Sequence, residues 1–272
     1  MGLNAGDDFD NVIFAKVNIG QVLRRELRRP AWAHQAVAIG TATDPYQPIE
    51  GRYRLTRSCL TVLAEEQNAA NIITKGTLVV RDIDVLQELT RTAGCGVSIS
   101  LISLDEQVWR AFEPGTAPPE QRLAALHRLA AAGIPCGLAL APVLPKLTDS
   151  LPDLEAVVRA AAEHGAQWLW SGTLHFEPAV RDWFLTALQR HFPHTLPDYE
   201  RVFGARGTTE GLRYAPTAYG DGLSRRVAEL KTRYGLVEAH RPAPKLGQVA
   251  RSDPPPASQP STPKCQQLRF PV

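Results

Sequence analysis

The chain has 272 residues, 44% hydrophobic and 21% charged, enough to bury one sizeable α/β core with appendages. A formal net charge of +2 excludes a strongly basic surface that tracks nucleic acid by composition alone. No apolar run reaches the roughly 18 residues that cross a bilayer, because prolines break Gly133 to Leu144, and no signal peptide opens the chain; a cytoplasmic protein without membrane contact is expected.

In chain order, Met1 to Asp10 is a Gly- and Asp-rich loop and Val12 to Val17 a short extended segment. Ile19, Val22, Leu23 and Leu27 then give the inward face of a helix that ends before Pro30. Val37 to Thr41 is the first firm strand, followed by turns at Pro45 and Pro48 and a helix from Leu55. The second strand is Asn71 to Lys75, closed by Gly76, with a helix over about Arg81 to Arg91. The third is Gly96 to Leu101, followed by helices over Leu104 to Phe112 and Pro119 to Ala132. The fourth is Cys136 to Pro142, with a helix through Leu154, Val157, Val158 and Ala161. The fifth, Trp168 to Leu174, ends at His175 and leads into a helix bearing Val180, Trp183, Phe184 and Leu188. Past Pro193 the pattern loosens, except for a helix near Asp221 to Tyr234, and from His240 a Pro- and Ser-rich composition predicts a disordered tail.

Strand and helix thus alternate, which predicts a parallel sheet with covering helices and a functional rim at the strands' C-terminal ends. No glycine-rich phosphate loop follows any strand, so neither a dinucleotide fold nor a nucleotidase is signalled. The division expected is a barrel over 1–193, a helical extension over 194–238 and a disordered tail over 239–272.

The rim residues carry the chemistry. Lys75 ends a buried run, where an ammonium needs an anionic partner; it reads as a clamp for carboxylate or phosphate, as a Schiff-base nucleophile, or as a surface lysine at a strand exit. Ser98 and Ser100 alternate with Val97, Ile99 and Leu101, so both hydroxyls face one side, as ligand contacts or as small interior fillers. Thr41, Thr43 and Asp44 offer acceptors to an amine or ribose, although Thr-Asp-Pro is also an ordinary turn. Arg122, on a helix with Leu123, Leu126 and Ala130 inward, either grips a carboxylate bidentately or is solvated. His175 is the proton-transfer candidate, or a hydrogen-bonded structural histidine, and His191 and His194 read as loop residues. Cys59, Cys95, Cys136 and Cys265 are too far apart for a metal-type pair and read as structural.

Five stretches in series resemble radical S-adenosylmethionine proteins: Gly-Thr-Ala-Thr-Asp-Pro-Tyr-Gln-Pro-Ile-Glu, Ile-Ile-Thr-Lys-Gly-Thr, Val-Ser-Ile-Ser-Leu, Glu-Pro-Gly-Thr-Ala-Pro-Pro-Glu-Gln-Arg-Leu, and Ala-Gly-Ile-Pro-Cys-Gly-Leu-Ala-Leu-Ala-Pro-Val-Leu-Pro-Lys-Leu-Thr-Asp-Ser. The resemblance spans about Asn4 to Tyr199 and is to the group related to spore photoproduct lyase, DNA-repair-photolyase-like and including intein-associated actinobacterial members. It implies a partial (β/α)6 barrel, S-adenosylmethionine as cofactor, a 4Fe–4S cluster, and radical chemistry with nucleic acid as the family's target. It further implies Thr43 and Asp44 near the methionine amine, Lys75 and Ser100 on its carboxylate or ribose, Arg122 assisting, and Pro142 and Val143 along the adenine. Family members carry Cys-x-x-x-Cys-x-x-Cys after a first strand, just ahead of the equivalent of Leu3-Asn4-Ala5-Gly6; none of the four cysteines here has that spacing. The expectation is therefore a barrel lacking its first strand that holds no cluster by itself: either the product starts further upstream, or the chain is one fragment of a split or intein-interrupted gene with an upstream fragment carrying the cluster motif as partner, or it is an inactive remnant. The other readings are a Schiff-base lyase built on Lys75 and a non-catalytic remnant or binding domain.

Overall fold

The computed structural model describes residues 12–176, 178–205, 211, 213–237 and 266–269. The chain builds a five-stranded parallel sheet in sequential order from β2 (Val37–Ile39), β3 (Ala70–Thr74), β4 (Cys95–Ser100), β5 (Cys136–Val143) and β6 (Trp168–Thr173). The strands agree with the expected ones to within one or two residues. Helix α1 (Ile19–Leu27) precedes β2, and helices return the chain between strands: α2 (Glu50–Tyr53) and α3 (Leu55–Glu65), then α4 (Ile83–Thr92), α5 (Glu106–Phe112), α6 (Pro119–Ala131) and α7 (Leu151–Glu163). A 3-10 turn, Thr77–Asp82, occupies what the periodicity assigned to the start of α4. This is the partial (β/α) barrel that strand–helix alternation predicts.

The sheet has two unlike faces because a strand's side chains alternate. Ile72, Val97, Ile99, Leu138 and Leu140 point outward into a core with Leu60, Leu63, Leu86, Leu89, Leu126, Leu129, Val157 and Val158 from the helices, all essentially inaccessible. Cys95 and Cys136 belong to this layer, and burial pushes both thiols up to about 12. Cys59, on α3, is pushed up to about 11, mainly by burial.

Three further helices follow: α8 (Pro178–His191), α9 (Leu196–Phe203) and α10 (Thr217–Arg233). Helix α9 was not anticipated, since its eight residues carry too short an apolar pattern to stand out beside two prolines. A second core, Ile102, Val108, Leu144, Leu174, Phe176, Phe184, Leu188, Phe192, Tyr199 and Phe203, packs α5, α8 and α9 against the C-terminal ends of β4 to β6. Phe112 stacks on Phe184 at 4.5 Å and on Phe192 at 5.9 Å.

Of the tail expected over 239–272, only residues 266–269 are among the described residues. Residues 266–269, read as disordered from composition, form β7 (Gln266–Arg269), antiparallel to β1 (Val12–Ala15). The Gln-Gln-Leu-Arg segment is short but lies outside the Pro-rich run, so nothing in its own residues bars it from pairing. Leu3-Asn4-Ala5-Gly6 and Cys265 lie outside the described residues.

Candidate functional site

The loop after β2 is tied to the end of β3 by one carboxylate. Asp44 Oδ1 accepts from the Tyr46 amide at 2.8 Å and the Thr74 hydroxyl at 2.6 Å, while Oδ2 accepts from the Lys75 amide at 2.7 Å. Asp44 thus spends most of its lone pairs on fixing the backbone that aims Lys75, and Thr43 stands exposed on the same loop.

Lys75 reaches across to the next rim element. Its Nζ lies 2.9 Å from Glu113 Oε1, and Glu113 Oε2 lies 2.7 Å from Arg122 Nη2. Arg122 is fully buried: Nη1 donates to Ser100 O at 2.9 Å, Nε to Ala117 O at 2.7 Å, and Nη2 also to the Thr116 hydroxyl. The guanidinium is therefore neither solvated nor open to a bidentate ligand; it pins the C-terminal end of β4 to the Glu113 loop. The residue that the sequence alone did not single out is Glu113, which opens the Glu-Pro-Gly stretch; its signal is a carboxylate nine positions ahead of an arginine on the next helix, visible only once both are known to be buried. The outcome is a set of two cations around one carboxylate, with the Lys75 side chain 38% exposed at the mouth.

Register sets the concave face in rows. Ile73, Ser98, Gly137 and Trp168 lie side by side, and Ser100, Ala139 and Trp170 form the row above. Because Thr74 faces Ile99, Lys75 continues that upper row beside Ser100. Trp168, 1% exposed, floors the concavity and donates its indole N–H to Ser98 Oγ at 3.0 Å. Ser98 is thus held from below, whereas no hydrogen bond engages the Ser100 hydroxyl among the described residues. A Cβ on Gly137 would meet the Trp168 ring at 2.5 Å, so the indole fits only because that position is glycine.

Of the other expected residues, Pro142 is half-buried, and Val143 is fully buried in the outer core, so its side chain does not line the concave face. His175 is exposed at the end of β6, its ring stacked on Tyr214 at 5.5 Å. Residues 144–149 of the loop after β5 are held from the C-terminal side: Tyr199 Oη donates to Pro145 O at 2.7 Å, Tyr219 Oη to Asp149 Oδ2 at 3.0 Å, and Arg226 Nη1 to Asp149 O at 2.7 Å. Asp44, Lys75, Glu113, Arg122 and Ser100 share one rim, with His175 on the far strand. Lys75 sits in an ion pair rather than an apolar pocket, so its surroundings do not favour the imine-forming reading. Among the described residues no group of three or more His, Cys, Asp or Glu is placed to hold a metal, and no helix is long and apolar enough to cross a membrane.

The chain is 39% identical over 250 residues to uncharacterized proteins of Mycobacterium tuberculosis and Mycobacterium bovis, an alignment covering 92% of this chain and 72% of each relative. It belongs to their family. No protein-family model matches the chain. An uncharacterized protein of Methanocaldococcus jannaschii is 27% identical over 113 residues, 42% of each chain. Among solved structures, spore photoproduct lyase with bound AdoMet and dinucleoside spore photoproduct superposes with a TM-score of 0.59 at 18% identity, covering 81% of this chain and 65% of that one. SuiB of Streptococcus suis, solved bound to S-adenosylmethionine, superposes with a TM-score of 0.50 at 13% identity, covering 80% of this chain and 41% of that one. The chain thus shares the partial barrel fold of these two proteins, and it spans just under two thirds of the lyase's length.

Proposed function

We propose that this chain is the S-adenosylmethionine-binding part of a radical S-adenosylmethionine protein, within the group related to spore photoproduct lyase that includes intein-associated actinobacterial members. The observation that carries the reading is the Lys75 ammonium, braced by buried Glu113 and Arg122 at the mouth of a sheet with this fold. A zwitterionic cofactor needs a cation for its carboxylate, hydroxyls for its ribose and room for a ring. Lys75, Ser100 and the small residues Ala139, Ala141 and Gly172 supply these on one face. Asp44 and Thr43 would stand nearest the amine, and Pro142 beside the ring. Arg122 and Ser98 act behind the surface, one positioning the Glu113 loop and the other bonded to Trp168.

Lys75 would bind and orient the cofactor carboxylate, with Glu113 restraining the ammonium so that little side-chain entropy is lost on binding. His175, exposed at the far rim, would be the candidate for proton transfer. When bound beside a reducing cluster, the cofactor supplies a carbon radical. Among the described residues the cysteines do not fit that cluster: Cys59, Cys95 and Cys136 have thiols raised by burial, whereas cluster ligands are thiolates. No step is therefore assigned to a cluster on this chain, and an upstream segment with Cys-x-x-x-Cys-x-x-Cys is the expected partner. Nucleic acid as the substrate of the assembled protein rests on kinship to the lyase. Anaerobic purification should give a chain free of iron and acid-labile sulfide, and a chain extended by such a segment should take up both. Stoichiometric cluster in the chain as it stands would overturn the reading.

A further inference from the structure

The row that holds Lys75 and Ser100 ends at a residue not yet given a role. Trp170 lies in register with Ala139, which is in register with Ser100. Its indole is half-buried, and its N–H has no hydrogen-bond partner among the described residues, unlike that of Trp168 one row below. Above it the wall is cut back: Gly172 and Ala141 are so close that a Cβ on Gly172 would stand 3.3 Å from the Ala141 Cβ and 3.7 Å from Trp170 Cζ3. A half-buried indole whose donor bonds to none of the described residues, bordered by residues with almost no side chain, is a seat for a flat ring that carries a hydrogen-bond acceptor. Three strand-to-strand steps separate Lys75 from Trp170, about 14 Å along the sheet at ~4.8 Å per step. A ligand that engages both carries an anion at one end and a flat heterocycle at the other.

We propose that Trp170 is the aromatic wall for the adenine ring, the counterpart at one end of the row to the Lys75 cation at the other. This rests on the cofactor reading above and adds to it a residue that neither its motifs nor the resemblance pointed to. The sequence did carry a signal: Trp-Leu-Trp alternates with period two, which sets both indoles on the face opposite Leu169.

Equilibrium dialysis of the full chain against adenosine and S-adenosylhomocysteine separates the two ends of the ligand. Trp170→Ala should weaken both by about tenfold, the scale of one lost aromatic stack. Lys75→Met should weaken S-adenosylhomocysteine and leave adenosine unchanged. Trp170→Phe should keep most of the affinity yet lose the ligand-induced quenching of tryptophan fluorescence, an arm that holds even if Trp170→Ala fails to fold. Wild-type binding of adenosine by Trp170→Ala, or undiminished quenching in Trp170→Phe, would overturn the wall; if Lys75→Met still weakened S-adenosylhomocysteine, the cofactor reading would survive. Wild-type chain that binds neither probe would sink both.

Discussion

Two ion-pair networks flank the end of β3, and they are built to opposite ends. In one, Arg81 pairs with Glu50 at 2.9 Å and Asp82 at 2.8 Å, and Arg57 pairs with Asp82 at 3.1 Å and Asp84 at 2.5 Å. Buried Glu50 also accepts the Thr56 and Arg57 amides at 3.0 and 3.4 Å, so it caps the N-terminus of α3 with charge of the favourable sign. Tyr46 donates to Asp82 at 3.2 Å, and burial first, then that carboxylate, drives its phenol far above the ordinary range. This network holds three carboxylates and two guanidiniums and closes on itself. The other, Lys75, Glu113 and Arg122, has two cations around one carboxylate and leaves the exposed one facing the concavity. The difference teaches that buried charge alone does not mark a site here; an unbalanced cation at an open rim does.

The largest effect expected is at Arg122. Arg122→Ala leaves the Glu113 carboxylate and the Ser100 and Ala117 carbonyls without their buried donor and should cost about 3–5 kcal/mol, read as a drop in the denaturant midpoint. A loss under about 1 kcal/mol would mean the pair is not buried in solution.

Glu50→Gln tests the closed network. It removes the charged cap of α3 and half of the Arg81 pairing, and should cost about 2 kcal/mol by the same measurement while ligand binding at the rim is unchanged. Weakened binding of S-adenosylhomocysteine would show that the two networks are not separate.

Lys75→Met sharpens the contrast, because its side chain is 38% exposed and its partner keeps Arg122. Stability should move by no more than about 0.5 kcal/mol, in either direction. A cost comparable to that of Arg122→Ala would make Lys75 structural.

The smallest effect is the acid limb of the closed network. Hydrogen bonds from Arg57 hold the Asp84 carboxyl down at about 2, against an ordinary 3.8. A depressed folded-state value means the contribution is complete above about pH 4 and disappears as pH falls toward 2. Asp84 is 65% exposed, so solvent screening keeps this under about 1 kcal/mol. Asp84→Asn should lower stability at pH 7 by that amount, leave pH 2 nearly unchanged and so flatten the profile over pH 4 to 2; an unaltered profile would show that the pair is open in solution.

The strands were legible because Val, Ile and Leu runs bounded by Gly and Pro leave few alternatives, as at Ala70–Thr74 and Cys136–Val143. Helix starts were legible where a cap or a proline marks them, as at Ser150 and Pro119. Local pattern also told which residues share a face, as for Ser98 with Ser100. It did not tell which face is wet, because period two is symmetric until the helices choose a side. Tertiary structure alone decided that Arg122 is a buried clamp rather than a solvated arginine, that Val143 faces the outer core, and that Asp44 braces Lys75. Each depends on partners 20 to 40 positions away, such as Ser100 for Arg122 and Lys75 for Asp44, and hydrogen bonds of that reach leave no periodic trace in the chain. The sequence by itself determined the alternation and the residues at each strand's end; packing determined which of their charges remain free to meet a ligand.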